Sequence, residues 1–322
     1  MVMQVAVIGF GSISKRHRAN IRAILPEAQI LGVSSSGRRP HNVISDVDKI
    51  LDDINDVTSH KIDFAIVASP ATSHFKHTKF LVEANIPVLV EKPICASFED
   101  ANLFKELISK SNVPVMVAYC LRYLPSLRCV KNALDQNKIG KILMAHIVIG
   151  QYLPDWRPGI DYQDTVSARL NLGGGALLEL SHEIDYAQLL FGKLNPVYSR
   201  LKSSDELGLE VEDIADLVLE NSEGMIVNMH LDFLQRQPTR FCRVIGTEGS
   251  IFWDLINNSV VLKAKSKKTD LYRDQSYDKN NMYKDMVKDF ISHIDEGDSQ
   301  STSISDAIET VELVVNLKAL NR

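Results

Sequence analysis

The chain has 322 residues, 45% of them hydrophobic and 24% charged, a balance that fits folded globular proteins and excludes disordered, collagen-like and disulfide-scaffold chains. Lysine and arginine total 36 against 41 aspartate and glutamate, a formal charge of -5, so no basic excess exists to hold a nucleic-acid backbone. Cys95, Cys120, Cys129 and Cys242 form no C-x-x-C pair, no secretory signal opens the sequence, and no apolar run is long enough to cross a bilayer; the expectation is a soluble cytoplasmic protein with free thiols and no membrane partner.

At roughly 150 residues per domain, the length predicts two cores. Up to about residue 120, short β-branched runs at 4–8, 29–33, 63–68, 87–90 and 114–118 alternate with helical patterns. One of these, 97–110, carries a Phe98, Ala101, Phe104, Ile108 stripe. Repeated βαβ units of this kind predict a doubly wound parallel sheet. Beyond Arg122 the pattern changes to a helix over 125–137, an extended run over 141–151, a long loop and a helix over 175–191. Extended runs at 197–202, 214–220, 225–234, 240–245 and 250–254 follow, joined by turn signals such as Ser222-Glu223-Gly224, and predict a mostly antiparallel sheet in an α+β domain. Helices over 280–296 and 303–320, the second capped by Ser303 or Ser305, close the chain. The expected domains are 1–120 and 121–322, the closing helices being free to pack back on the first.

Gly9-Phe10-Gly11-Ser12-Ile13-Ser14 stands between the first strand and its helix, where a glycine turn and a helix N-terminus receive a dinucleotide pyrophosphate. Ser14 replaces the third glycine of the fingerprint and is small enough for close helix-to-sheet packing. NAD sites place an acid at the end of the second strand, about 20 residues on, to accept from the ribose hydroxyls. Here that place reads Val33-Ser34-Ser35-Ser36-Gly37-Arg38-Arg39. Ser35, Ser36, Arg38 and Arg39 suit a 2'-phosphate, so NADP is expected ahead of NAD; as plain loop arginines, Arg38 and Arg39 would be solvated charges.

Lys92, in Glu91-Lys92-Pro93 at the end of the fourth predicted strand, lies at the ligand-binding edge of the sheet and can stabilise a developing alkoxide. In a helix over 175–191, Leu177, Leu180, Ile184, Ala187 and Phe191 make one stripe, and Glu179, His182, Asp185 and Tyr186 gather opposite. His182 is a candidate general base, with Glu179 or Asp185 as its acid partner. No four-ligand metal spacing accompanies it. His74 is placed near the cofactor and Arg122 near cofactor and substrate, while Trp156 and Arg157 in the long loop are candidates for stacking on a sugar and meeting an acidic group.

Taken together, Gly9 to His17, Ser69-Pro70-Ala71-Thr72-Ser73-His74, Glu91-Lys92-Pro93, Arg122 with Tyr123, and the stretch from Gly173 to Asp185 resemble the glucose-fructose oxidoreductase, inositol dehydrogenase and rhizopine-catabolism family, Gfo/Idh/MocA, over nearly the whole chain. The resemblance implies a Rossmann domain followed by an open-faced α/β domain, a nicotinamide cofactor and sugar or cyclitol substrates. It implies dimers or tetramers formed through the second-domain sheet. It implies Lys92 and His182 as catalytic residues, cofactor contacts from Ser69, Pro70 and Glu91, and a substrate contact from Tyr123. The chain departs from the family where Leu178 and Leu180 stand in place of an Asp and a Gly before His182. The reading is a dehydrogenase or reductase acting on a secondary alcohol carbon. A silent nucleotide-binding sensor or scaffold is the alternative, and the joint presence of Lys92 and His182 separates the two.

Overall fold

A computed structural model describes residues 2–38, 44–296 and 303–321. The chain divides into two compact units, Met1–Cys120 with Asn280–Val311, and Leu121–Lys279 with Glu312–Arg322.

In the first unit the elements run β1 (Gln4–Ile8), α1 (Ser12–Ile24), β2 (Gln29–Val33), β3 (Lys49–Leu51), β4 (Phe64–Val67), α2 (His74–Glu83), β5 (Val88–Val90), α3 (Phe98–Ser109) and β6 (Val115–Val117). All six strands are parallel in the order β3-β2-β1-β4-β5-β6, with Ile8 in register with Val33 on one side and Val67 on the other. Val5, Val7, Ile8, Ile66 and Val88 are fully buried, as strands covered on both faces require, and each such side chain contributes about 1.5–3 kcal/mol. The strand order reverses at β1 and β4, which puts a topological switch point at the carboxyl ends of these strands. The sequence reading omits β3, so Lys92 follows the fifth strand in chain order and not the fourth.

The second unit contains α4 (Pro125–Asp135), β7 (Ile142–Gly150), α5 (Ala176–Glu179), α6 (His182–Phe191), β8 (Leu194–Lys202), β9 (Ile214–Asn221), β10 (Ile226–Asp232), β11 (Thr239–Gly246), β12 (Gly249–Asp254), β13 (Ser259–Ala264) and β14 (Lys267–Arg273). They build an eight-stranded sheet, β14-β13-β12-β11-β7-β10-β9-β8, antiparallel except where β10 runs parallel to β7. Ala145, Ile147, Leu217, Val227, Val244 and Trp253 alternate onto a buried face. There the Trp253 indole donates to Ser126 Oγ of α4 at 3.0 Å and meets the Tyr186 ring of α6 edge-on at 5.1 Å.

Two expectations are corrected in this unit. β13 and β14 form where no strand was read. The expected helix over 175–191 breaks at Leu180 and Ser181; Leu177, Leu180, Ile184, Ala187 and Phe191, the expected apolar stripe, are all buried, but so are Tyr186, against Trp253, and Asp185, both expected on the polar side. The helices α7 (Asn280–Glu296) and α8 (Ile304–Leu320) close the chain. Ser303 Oγ accepts from the Asp306 N–H, the cap expected of it. Within the first unit, α7 sets Phe290 edge-on to Phe64 and places Tyr283 under the Arg16 guanidinium.

Candidate active site

Gly9 has φ +111, and a Cβ there would come to 2.6 Å from Ala68 O. Only glycine fits this approach of the turn to the end of β4. Ser14, in the third-glycine place, is fully buried and its hydroxyl donates to Ala68 O at 3.2 Å, tying α1 to the sheet by a hydrogen bond where the fingerprint uses close contact alone. Gly11 is the N-cap of α1, with no side-chain cap and no acid in the first turn, and a Cβ on it meets nothing within 4 Å. Gly11 and Ser12 are exposed and Ile13 half-exposed, so the chain enters α1 through a helix start without a side-chain cap, whose chemistry suits the diphosphate of a dinucleotide. The Phe10 ring packs over Gly32, where a Cβ would approach it to 2.8 Å, so Phe10 anchors the turn to β2.

After β2, the Ser34 hydroxyl donates to Arg38 O at 2.7 Å and closes a turn on which Ser36 and Arg38 are exposed and Ser35 half-exposed. Arg39 lies outside the described residues. The sequence reading missed a carboxylate here: Asp53, after β3, would lie 3.8 Å from a Cβ on Gly37. It follows the strand beside β2, a placement that no fixed spacing along the chain would reveal.

Beyond β4, Ser69 and Pro70 begin the loop into α2. The Ser69 hydroxyl pairs with His77 Nδ1 at 2.9 Å, and burial pushes the His77 pKa down to about 4. His74 is 1% exposed, with Nε2 2.8 Å from Ser69 O and Nδ1 2.9 Å from Pro93 O. At the end of β5, Glu91 is buried; one carboxylate oxygen meets His17 Nε2 at 2.6 Å and the other accepts the Lys92 N–H at 3.1 Å. The Lys92-Pro93 peptide is cis, and Lys92 is half-exposed. The His17 and Glu91 pair spans 74 residues of sequence, and no local signal announces it.

In the second unit the short turn Cys120–Tyr123 carries Arg122, whose guanidinium holds Asp185 of α6 through Nη2 at 2.6 Å and Nε at 3.1 Å. Tyr123 is buried, with Arg128 over its ring. His182 is the first residue of α6 and is half-exposed, directly after the break; Glu179 ends α5 and accepts from the Ser167 hydroxyl at 3.2 Å. Gly175 has φ +106, and a Cβ would run into the Glu212 carboxylate at 2.5 Å, so the turn that enters α5 depends on glycine. Glu183, passed over by the sequence reading, is fully buried and paired with Arg240 at 2.7 Å. Trp156 packs edge-on to Phe233 at 5.3 Å and donates to Gln151 O, with Arg157 half-exposed beside it.

Comparison with known proteins matches residues 3–119 to the family model described as "Oxidoreductase family, NAD-binding Rossmann fold" and residues 127–252 to "GFO/IDH/MocA C-terminal domain". Inositol 2-dehydrogenase 1 of Saccharopolyspora erythraea is 26% identical over 274 residues, 81% of this chain and 77% of its own. Myo-inositol 2-dehydrogenase of Thermotoga maritima is 22% identical over 337 residues, covering 94% of this chain and 92% of its own. Among solved structures, levoglucosan dehydrogenase in complex with NADH and levoglucosan superposes with a TM-score of 0.86 at 17% identity, covering 99% of this chain and 97% of that one.

Proposed function

The chain belongs to the Gfo/Idh/MocA family of oxidoreductases with an NAD-binding Rossmann fold, and from that premise we propose that it is an NADP-preferring dehydrogenase or reductase of a secondary alcohol carbon in a sugar, cyclitol or nucleotide-sugar derivative. The observation that carries the reading is the open helix start at Gly11, at the switch point of a parallel sheet that also presents Lys92 at the carboxyl end of β5. The names of the relatives, inositol and levoglucosan dehydrogenases, support the substrate class.

Bound nicotinamide would supply the hydride acceptor or donor. The remaining chemistry falls to this chain. In the oxidative direction the imidazole of His182 takes the hydroxyl proton, and the Lys92 ammonium donates to the oxygen as negative charge develops on it, each contributing on the order of 100-fold. The acid that supports the His182 imidazolium is Glu179, which also takes the Ser167 hydroxyl, or Asp185, which Arg122 holds. Gly9, Phe10, Gly11, Ser12 and Ile13 form the diphosphate turn, with Ser69, Pro70, His74 and Glu91 shaping the adjoining loops. Arg122, Tyr123, Trp156 and Arg157 are assigned to substrate recognition.

Ser35, Ser36 and Arg38 favour a 2'-phosphate, and the Asp53 carboxylate beside Gly37 opposes it. The free cysteines fit a reducing cytoplasm. The outer face of the second sheet sets Tyr198, Val218, Asn228, His146, Arg243 and Phe252 along one row and Asp216, His230, Val148 and Phe241 along the next, a mixed polar and apolar face assigned to pairing with a second copy. The test is formation of reduced nicotinamide, followed by absorbance, with NADP and NAD against myo-inositol, levoglucosan and glucose. Reduction with at least one of these polyols is expected; no reduction with any of them contradicts the reading.

A further inference from the structure

His74 is the first residue of α2, 1% exposed, and sits between two loops of the same unit. Its Nε2 reaches the carbonyl of Ser69, at the start of the loop after β4, at 2.8 Å; its Nδ1 reaches the carbonyl of Pro93, the residue after Lys92, at 2.9 Å. We propose that His74 is the positioning residue of the Lys92 turn, joining it to the Ser69-Pro70 loop so that the residue stabilising the alkoxide and the loop shaping the cofactor site hold one geometry. This rests on the roles assigned to Lys92 and to the Ser69-Pro70 loop above.

The chemistry of the ring makes the two contacts separable. A neutral imidazole carries one N–H and donates to one carbonyl; only the imidazolium donates to both. Burial pushes the His74 pKa down, against the backbone of Ser69, Pro93 and Ile94 and the nearby Glu91 carboxylate, which favour the charged ring; the neighbouring His77 is the other titratable group facing it. An asparagine amide nitrogen stands the same number of bonds from Cα as Nδ1, and a glutamine amide nitrogen the same number as Nε2. His74→Asn therefore keeps the Pro93 contact and loses the Ser69 contact, and His74→Gln does the reverse.

Hydrogen exchange and kinetics of the two variants test the proposal, measured at the lowered pH at which the wild-type ring carries both N–H groups and so donates to both carbonyls. For His74→Gln the expected result is about tenfold faster amide exchange over 94–97, no change over 71–73, and about tenfold lower kcat with the NADPH Kd held within about twofold, the scale of one lost hydrogen bond. For His74→Asn, exchange quickens over 71–73 and the NADPH Kd rises about tenfold while kcat is retained. Equal effects of both variants on both segments, or none on either, would overturn it. Should the wild-type protein reduce nicotinamide with no polyol, the dehydrogenase reading fails, and the exchange data still decide the role of His74. Should a variant fail to fold, the wild-type protein answers through its ring resonances: a His74 N–H protected from solvent at neutral pH, and a second as the pH falls, are expected, whereas two rapidly exchanging ring nitrogens overturn the proposal.

Discussion

Arg122 grips Asp185 with Nη2 2.6 Å from one carboxylate oxygen and Nε 3.1 Å from the other, the two side chains being 6% and 0% exposed. Removing one partner leaves a buried charge uncompensated, which costs about 3–5 kcal/mol. Arg122→Met should lower the urea midpoint by that equivalent, and Arg122→Met with Asp185→Leu should recover most of it. A single variant as stable as wild type contradicts the pairing.

The two glycines of the turn separate folding from binding. A Cβ on Gly9 meets Ala68 O at 2.6 Å at a backbone angle foreign to L-residues, whereas one on Gly11 meets nothing. Gly9→Ala should therefore melt earlier, by about 1–3 kcal/mol of strain. Gly11→Val should keep the wild-type melting temperature while losing NADPH binding in a fluorescence titration. NADPH affinity unchanged in Gly11→Val would remove the turn from the cofactor site.

Much of the first unit is legible because buried parallel strands are continuous β-branched runs, as 4–8 and 29–33 show. β3 escapes reading because it is three residues long, and β14 because Lys267, Lys268 and Asp270 give an edge strand a polar sequence. The break at Leu180 and Ser181 is hidden because leucines at 177, 178 and 180 satisfy a continuous helix as well as a broken one, and the site pays attention to the difference: it makes His182 a helix start and buries Tyr186. The glycine turn and Lys92 are local signals. The contacts that hold them, His17 with Glu91 and His74 with Pro93, join residues far apart in sequence and are not.

His230 lies between Asp232 at 3.0 Å and Asp216 at 2.6 Å, and chiefly the Asp232 hydrogen bond, reinforced by Asp216 against partial burial, raises its pKa to about 9. A folded-state pKa above the unfolded value contributes stability that is fully present below about 6.5 and is lost as the pH rises through about 9. The melting temperature of wild type should exceed that of His230→Gln below pH 6.5, and the gap should close by about pH 9. A gap independent of pH contradicts the ion pairs.

Arg38 and Asp53 flank one turn with opposite charge. NADPH should bind at least about tenfold tighter than NADH, a difference of about 1.4 kcal/mol. Arg38→Ala should abolish that preference, and Asp53→Asn should widen it. NADH binding as tightly as NADPH in the wild-type protein would reverse the assignment.

The most direct measurement is turnover of Lys92→Met beside wild type, with NADPH affinity determined on the same samples. The alkoxide-stabilising role of Lys92 predicts a fall of about 100-fold or more in turnover with the NADPH Kd within about twofold. Turnover retained by Lys92→Met would contradict it.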